Sequence, residues 1–305
     1  KVYAGVFGKP AKAFLQKPGP LGANAAVLCD DMLTLKEPPK RIADTADFKG
    51  HAFFEGSSIR KIGQTYYFVY SSQKNHELCY ATSRYPDRDF RFGGTLVSNG
   101  DVGLDGRKEN ERTNATGTTH GSIEQIGGQW YVFYHRLTHG SDYSRQMCAE
   151  PLRLAPDGSF RQAEMTSCGL NQGDLPGNGL YPATICCSLS NGKMPHIANQ
   201  MRTDIPRITH DGGEWFIANA EKGTEILYKY FDFQANTQLS LTARKNGSVQ
   251  IFLQDLPLGT LDFCADRWTT QTLPIPQSQR RATLRFSVTA GNLDILEFEI
   301  AEAKT

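Results

Sequence analysis

No stretch of this sequence keeps the 3.6-residue periodicity of a long helix, and no apolar run approaches the roughly 20 residues that cross a bilayer. A helical bundle and a membrane partner are thereby excluded. An excess of one charge is missing as well: 33 Lys+Arg face 32 Asp+Glu, and neither sign is bunched into a polyelectrolyte run. Nucleic acid is therefore not an expected partner. The seven cysteines show no CxxC spacing, so a zinc module is not indicated, and an odd number cannot all pair within the chain. At 305 residues the chain is also too long for a small disulfide-stapled scaffold. The adjacent Cys186 and Cys187 follow Ala183-Thr184-Ile185 and read as small buried hydrophobes. Lys1-Val2-Tyr3 shows neither an initiator Met, a charged n-region nor an apolar h-region, so no secretory signal is visible. Asn114-Ala-Thr and Asn246-Gly-Ser match the glycosylation tripeptide, at a frequency close to chance, and decide nothing about compartment.

What the chain does contain is strand and turn chemistry. Short β-branched and aromatic runs alternate with Gly, Pro, Asn and Asp, which predicts an all-β protein. Sliding the sequence on itself by 64 residues lays SSIRKIGQTYYFVYS (Ser57 to Ser71) without a gap on GSIEQIGGQWYVFYH (Gly121 to His135). Each copy reads as a strand, a Gly turn and a second strand too apolar for a sheet with one wet face. Repeated small antiparallel sheets packed face to face describe propeller blades; a two-sheet sandwich with a chance duplication is the alternative. The same shift sets Tyr67 on Tyr3, so Val2 to Phe7 reads as the second strand of an earlier blade, and the propeller is read as incomplete. Blades are expected around Phe53 to Val97 and His120 to Glu164, with a closing segment around Tyr181 to Ile197. After Pro206 the pattern becomes cleanly alternating, as in Leu296-Glu297-Phe298-Glu299-Ile300. The expected organisation is a partial propeller over 1–206 and a β-sandwich, jelly-roll-like, over 207–305.

Glu55 stands at the start of a blade's first strand, flanked by Phe53 and Phe54. Such strand starts crowd together at one mouth of a propeller, where a carboxylate beside aromatic walls is expected to be partly desolvated and protonated. It could then give a proton to a glycosidic oxygen. His120 occupies nearly the matching strand start one blade later, aligned with Gly56. The alternative is a solvated loop acid and a structural histidine. Arg136 could reach a sugar hydroxyl, or form a surface salt bridge. Asp101 and Asp105 read as turn formers rather than calcium ligands.

FFEGSSIRKIGQTYYFVYSS followed by TTHGSIEQIGGQWYVFYHR resembles the central blades of family 43 glycoside hydrolases. That resemblance implies a five-bladed propeller that cleaves β-xylosides and α-L-arabinofuranosides with inversion, with Glu55 as general acid and Phe54, His120 and Arg136 against substrate. It also implies that His120 organises the propeller centre through water or, in some members, calcium; no cofactor is required. The family's general base and its orienting aspartate lie on the first strands of the two preceding blades, which this chain does not contain. Asp30 and Asp31, after an outer strand, are not promoted to base, and the 305 residues alone are expected to be hydrolytically silent.

GTEILYKYFDF, TQLSLTARKNGSVQIFL, DRWTTQTLPIP and ATLRFSVTAGNLDILEFEI together resemble a family 6 carbohydrate-binding module. The resemblance implies Trp268, Tyr228 and Tyr230 as stacking platforms and Asn292 as a hydroxyl partner; packing within the sandwich is the alternative. A polysaccharide-directed monomer, extracellular or periplasmic, is the expectation. A non-catalytic carbohydrate-binding protein is the competing one.

Overall fold

The computed structural model describes residues 22–43, 48, 50–233, 237–276 and 279–303. The strand read over Val2 to Phe7 lies outside them. All regular elements among the described residues are strands and short 3-10 turns. A small hairpin of β1 (Ala23–Ala25) and β2 (Lys40–Ala43) precedes two blade-like meanders. The first meander runs β3 (Phe53–Ile62), β4 (Thr65–Ser72), β5 (Glu77–Ser83) and β6 (Arg91–Ser98), all antiparallel. The second runs β7 (Ser122–Ile126), β8 (Gln129–Thr138) and β9 (Ser141–Leu152).

The 64-residue repeat is carried into the register. Ile59 pairs with Phe68 and Ile62 with Thr65 in the first sheet, and Ile123 with Val132 and Ile126 with Gln129 in the second. Equivalent positions also meet across the two sheets: the Ser58 hydroxyl donates to Ser122 Oγ at 2.9 Å, and Arg60 Nε lies 3.3 Å from Glu124. Sheets that touch through the same position of their first strands are stacked around a common axis, as blades are.

Both faces of the first sheet are covered, which explains why β4 is apolar at every position from Tyr66 to Tyr70. Tyr67 and Val69 face the second sheet in a core with Tyr80, Leu96, Ile123, Val132 and Phe160. Phe68 and Tyr70 face the opposite way, onto Phe48, Phe53, Ile42 and Ala23.

The remaining strands form one continuously hydrogen-bonded nine-stranded network. It contains β10 (Leu175–Pro176), β11 (Gly179–Pro182), β12 (Ser188–Ser190), β13 (Arg207–Asp211), β14 (Glu214–Glu221), β15 (Glu225–Phe233), β16 (Thr237–Leu253), β17 (Leu256–Ile275) and β18 (Gln279–Glu302). The alternating segments Leu239–Ala243 and Val249–Leu253 are halves of one strand with a corner, and so are Ala282–Val288 and Leu293–Ile300. Register shifts at Ala243/Lys245 and Ser248/Val249 turn the corner. Gly291 makes it sterically feasible, because its φ is 68° and a Cβ there would collide with the Asn246 carbonyl. Bent in this way, the network closes on itself as a sandwich around Tyr228, Phe231, Phe286 and Phe298.

One boundary needs correction. The segment expected to close the propeller, Tyr181 to Ile197, belongs for its first half to the sandwich. β11 pairs with β18, β12 pairs with β15, and Ala183, Cys186 and Leu189 sit in the sandwich core. A cut at Pro206 would thus strip three strands from the C-terminal unit. The free backbone edges of β15 and β18 capture this segment, and they cannot be read from its composition. Cys186 and Cys187 are buried, as expected, and face two different cores, one in the sandwich and one between the blades.

Candidate active site

Glu55 is aimed by irregular backbone. Along β3 the pairing shifts register between Phe53 and Glu55 and again between Glu55 and Ser57, so that Glu55 faces Ser71 between two bulges. Gly56 adopts φ 56°, and a Cβ there would lie 2.8 Å from the His120 ring. Only glycine lets the imidazole approach. The result is a contact across two sheets: His120 Nε2 lies 3.1 Å from Glu55 Oε1. Both side chains remain open to solvent, 35% exposed for His120 and 45% for Glu55.

The second sheet positions the imidazole from beneath. The backbone N–H of His120 donates to His135 Nε2 at 3.0 Å, and the Ser71 hydroxyl donates to the Thr119 carbonyl. Burial, helped by the charges of Arg145 and His120, lowers the pKa of His135 to about 4. A neutral ring with its hydrogen on Nδ1 is what an Nε2 acceptor requires. The two imidazoles meet edge to face at 5.7 Å.

The protonated glutamate expected from the sequence is not what this environment favours. The hydrogen bond from His120 holds the Glu55 carboxyl below the ordinary carboxylate range. Partial burial opposes this, and the charges of His120 and Arg145 reinforce it. The physical reason is that Phe53 is buried in the core behind β3, so only part of the anticipated aromatic wall stands beside the carboxyl. Phe54, half-buried, occupies the bulge next to Glu55.

Other sequence candidates are placed elsewhere. Arg136 is buried and binds protein, not solvent: it donates to the Thr184 carbonyl at 2.6 Å, to Gln146 Oε1 at 2.8 Å and to the Cys186 carbonyl. Strand alternation points it away from its neighbour His135, and it ties the second blade to the 183–187 turn. It therefore lines a cleft of about 230 Å³ with Tyr134, Cys148 and Glu150, apart from Glu55 and His120. Tyr228 is fully buried, with its hydroxyl on the Ala183 carbonyl, and cannot stack on a sugar. The Tyr230 ring is covered by the Arg281 guanidinium at 3.9 Å. Trp268 is similarly engaged, with Arg244 4.3 Å over its ring, Phe216 at its edge and its N–H on Glu214. Asn292 donates to Asn219. Asp31 accepts from the Leu33 and Thr34 backbone and closes a turn, in keeping with its exclusion as a base. Asp101 is buried and accepts the Met165 N–H, more an internal clamp than a turn former. Asn114 is buried with its amide on the Cys187 carbonyl, so the first glycosylation tripeptide is inaccessible in the folded chain.

Sequence reasoning passed over His135 and Arg145. His135 was within reach, since the 64-residue shift places it on Ser71, the residue that pairs with Glu55. Calcium does not fit directly at His120: the ion takes six to eight oxygen ligands, whereas this ring offers nitrogen, and its Nε2 already faces Glu55.

Residues 14–160 match the model of glycosyl hydrolases family 43. A xylosidase/arabinosidase of Thermoclostridium stercorarium is 44% identical over 239 residues, covering 73% of this chain and 50% of the relative. A beta-xylosidase of Xylanibacter ruminicola is 31% identical over 134 residues, covering 41% and 37%. The chain thus spans about half the length, or less, of these curated relatives. Among solved structures, a family 43 arabinoxylan arabinofuranohydrolase from Bacillus subtilis in complex with cellotetraose aligns with TM-score 0.46 at 18% identity, over 92% of this chain and 59% of that one. A family 6 carbohydrate-binding module aligns with TM-score 0.35 at 16% identity, over 43% of this chain and 98% of that one.

Proposed function

We propose, from the match of residues 14–160 to the model of glycosyl hydrolases family 43, that the chain serves as a glycosidase of plant cell-wall pentosides, the β-xylosides or α-L-arabinofuranosides of xylan and arabinoxylan. The observation that carries this reading is the 3.1 Å contact between Glu55 and His120, made across two sheets at their strand starts.

In the proposed reaction Glu55 protonates the leaving oxygen of the sugar, and His120 orients the carboxyl. A carboxyl held low in the open site must be raised before it can act as an acid. A pentose seated on Glu55 does this by displacing water from a group that is 45% exposed. His135, neutral and hydrogen-bonded to the His120 backbone, keeps the second imidazole from swinging away. An inverting displacement also needs a second carboxylate about 6.5–9.5 Å from the acid to activate water. We assign that base, and the orienting aspartate, to residues preceding Lys1. Export to the cell exterior or periplasm follows from a polymeric substrate.

The test compares release of xylose and arabinose from aryl glycosides by the 305-residue chain and by a chain extended upstream through two further blades. Turnover in the extended chain alone is expected. Turnover by the shorter chain, abolished by Glu55→Gln, would place the base within these residues instead. Silence of both, with retained glycan binding, would favour a purely carbohydrate-binding protein.

A further inference from the structure

On the face of the first blade turned away from the second, three donors of different chemistry converge. Glu77 and Cys79 lie two residues apart on β5, hence on one face, and His51 reaches them from the loop before β3. His51 Nδ1 lies 2.8 Å from Glu77 Oε1 and 3.9 Å from Cys79 Sγ, and all three ligand atoms fall within 4.8 Å of one another. This is the one such His/Cys/Asp/Glu group among the described residues.

The surroundings are those of a built site. The Glu77 side chain is 5% exposed and Cys79 is fully buried, whereas His51 is 29% exposed and gives the cluster a solvent-facing side. His51 is fixed from several directions: its ring stacks on Phe92 at 4.6 Å, its backbone N–H donates to Phe48, and its carbonyl accepts the Tyr70 hydroxyl at 2.8 Å. The Ser72 hydroxyl donates to Glu77 Oε1 at 2.6 Å and so orients the carboxylate, as outer partners of metal ligands do. Among the described residues the full cation paired with that carboxylate is Lys74, at 3.7 Å on the other oxygen.

We propose that His51, Glu77 and Cys79 bind a divalent zinc-type ion, clamping the loop before β3 onto β5. Tetrahedral zinc with its usual bond lengths separates nitrogen from sulfur by about 3.6 Å and nitrogen from carboxylate oxygen by about 3.4 Å. The observed 3.9 and 2.8 Å straddle those values, and a turn of the partly exposed imidazole adjusts both. Mixed nitrogen, sulfur and carboxylate donors suit zinc or cobalt and do not suit magnesium or calcium. Three protein ligands leave the fourth position to water from the His51 side. Binding displaces one proton, from the Cys79 thiol. Affinity therefore rises with pH. None of the three residues belongs to the Glu55–His120 pair, so the site stands or falls independently of the hydrolase reading.

The experiment is titration of the purified chain with cobalt(II), followed by zinc competition. A thiolate-to-cobalt charge-transfer band at one equivalent, lost on adding zinc, is expected, together with a melting temperature that rises with zinc. Cys79→Ser should abolish the band and Cys264→Ser, at an exposed cysteine, should leave it. His51→Gln, at the partly exposed ligand, should weaken binding more than about tenfold and guards against the case in which Cys79→Ser fails to fold. Absence of the band in folded protein, or its survival in Cys79→Ser or undiminished in His51→Gln, would overturn the proposal.

Discussion

The blades and the sandwich dispose of their polar and aromatic side chains in opposite ways. In the blades, the bulged start of β3 turns Glu55 outward beside the part-exposed His120, while the aromatic run of β4 is shared between two cores. In the sandwich, the residues with sugar-binding potential are taken inward or covered: Tyr228 is buried, and Tyr230 and Trp268 each lie under an arginine. The difference shows that aromatic content does not mark a binding face. A bulge or a left-handed glycine spends stability on aiming one side chain, as at Glu55.

Five substitutions sharpen this contrast. Phe298→Ala, in the sandwich core, should cost about 3–5 kcal/mol in urea unfolding, whereas His120→Gln at the blade mouth should stay within about 1 kcal/mol. Comparable losses at the two positions would erase the distinction. Arg136→Leu leaves the Cys186 carbonyl without its donor and the Thr184 carbonyl with only the Gln146 amide at 3.4 Å, and about 1–3 kcal/mol of destabilisation is expected. The Glu55–His120 geometry should be untouched, which the chemical shift of the His120 ring would report.

Glu150 supplies a pH-dependent comparison. Burial raises its carboxyl to about 8, against hydrogen bonds from the Thr166 hydroxyl, the Thr166 N–H and Tyr134. Folded protein therefore keeps a proton that the unfolded chain releases near the ordinary carboxylate pKa. The stability this contributes is fully present below that value and is lost as pH climbs to about 8. Melting temperatures recorded across that window should fall for the native chain and fall less for Glu150→Gln. The smallest effect is expected of Trp268→Ala, which forfeits an exposed cation–π contact worth about 0.5–1 kcal/mol and leaves oligosaccharide affinity unchanged. A marked loss of glycan binding would restore Trp268 as a platform.

Much of the blade region was legible because its signals are local and repeated. The 64-residue shift predicted two strand–turn–strand units and set Glu55 and His120 at nearly matching strand starts, features that depend on residues near one another in sequence or at equivalent blade positions. The sandwich was legible in its alternation but not in its extent. Capture of Leu175–Ser190 by β15 and β18, the corner at Gly291, and β17 all depend on backbone edges brought together from distant segments. Arg136 was misread because a strand's polar residue looks the same in sequence whether it meets water or two buried carbonyls. The ionisation of Glu55 was misread for a related reason: flanking phenylalanines indicate apolar neighbours, but their direction is set by bulges.

The central claim is that Glu55, oriented by His120, delivers the leaving-group proton. It is tested most directly by the leaving-group dependence of Glu55→Gln in the upstream-extended chain. The variant should lose about 10²–10⁴-fold in kcat on unactivated xylo-oligosaccharides, and far less on nitrophenyl xylosides whose leaving groups need no proton. An equal loss on both substrates, or no loss on either, would contradict the assignment.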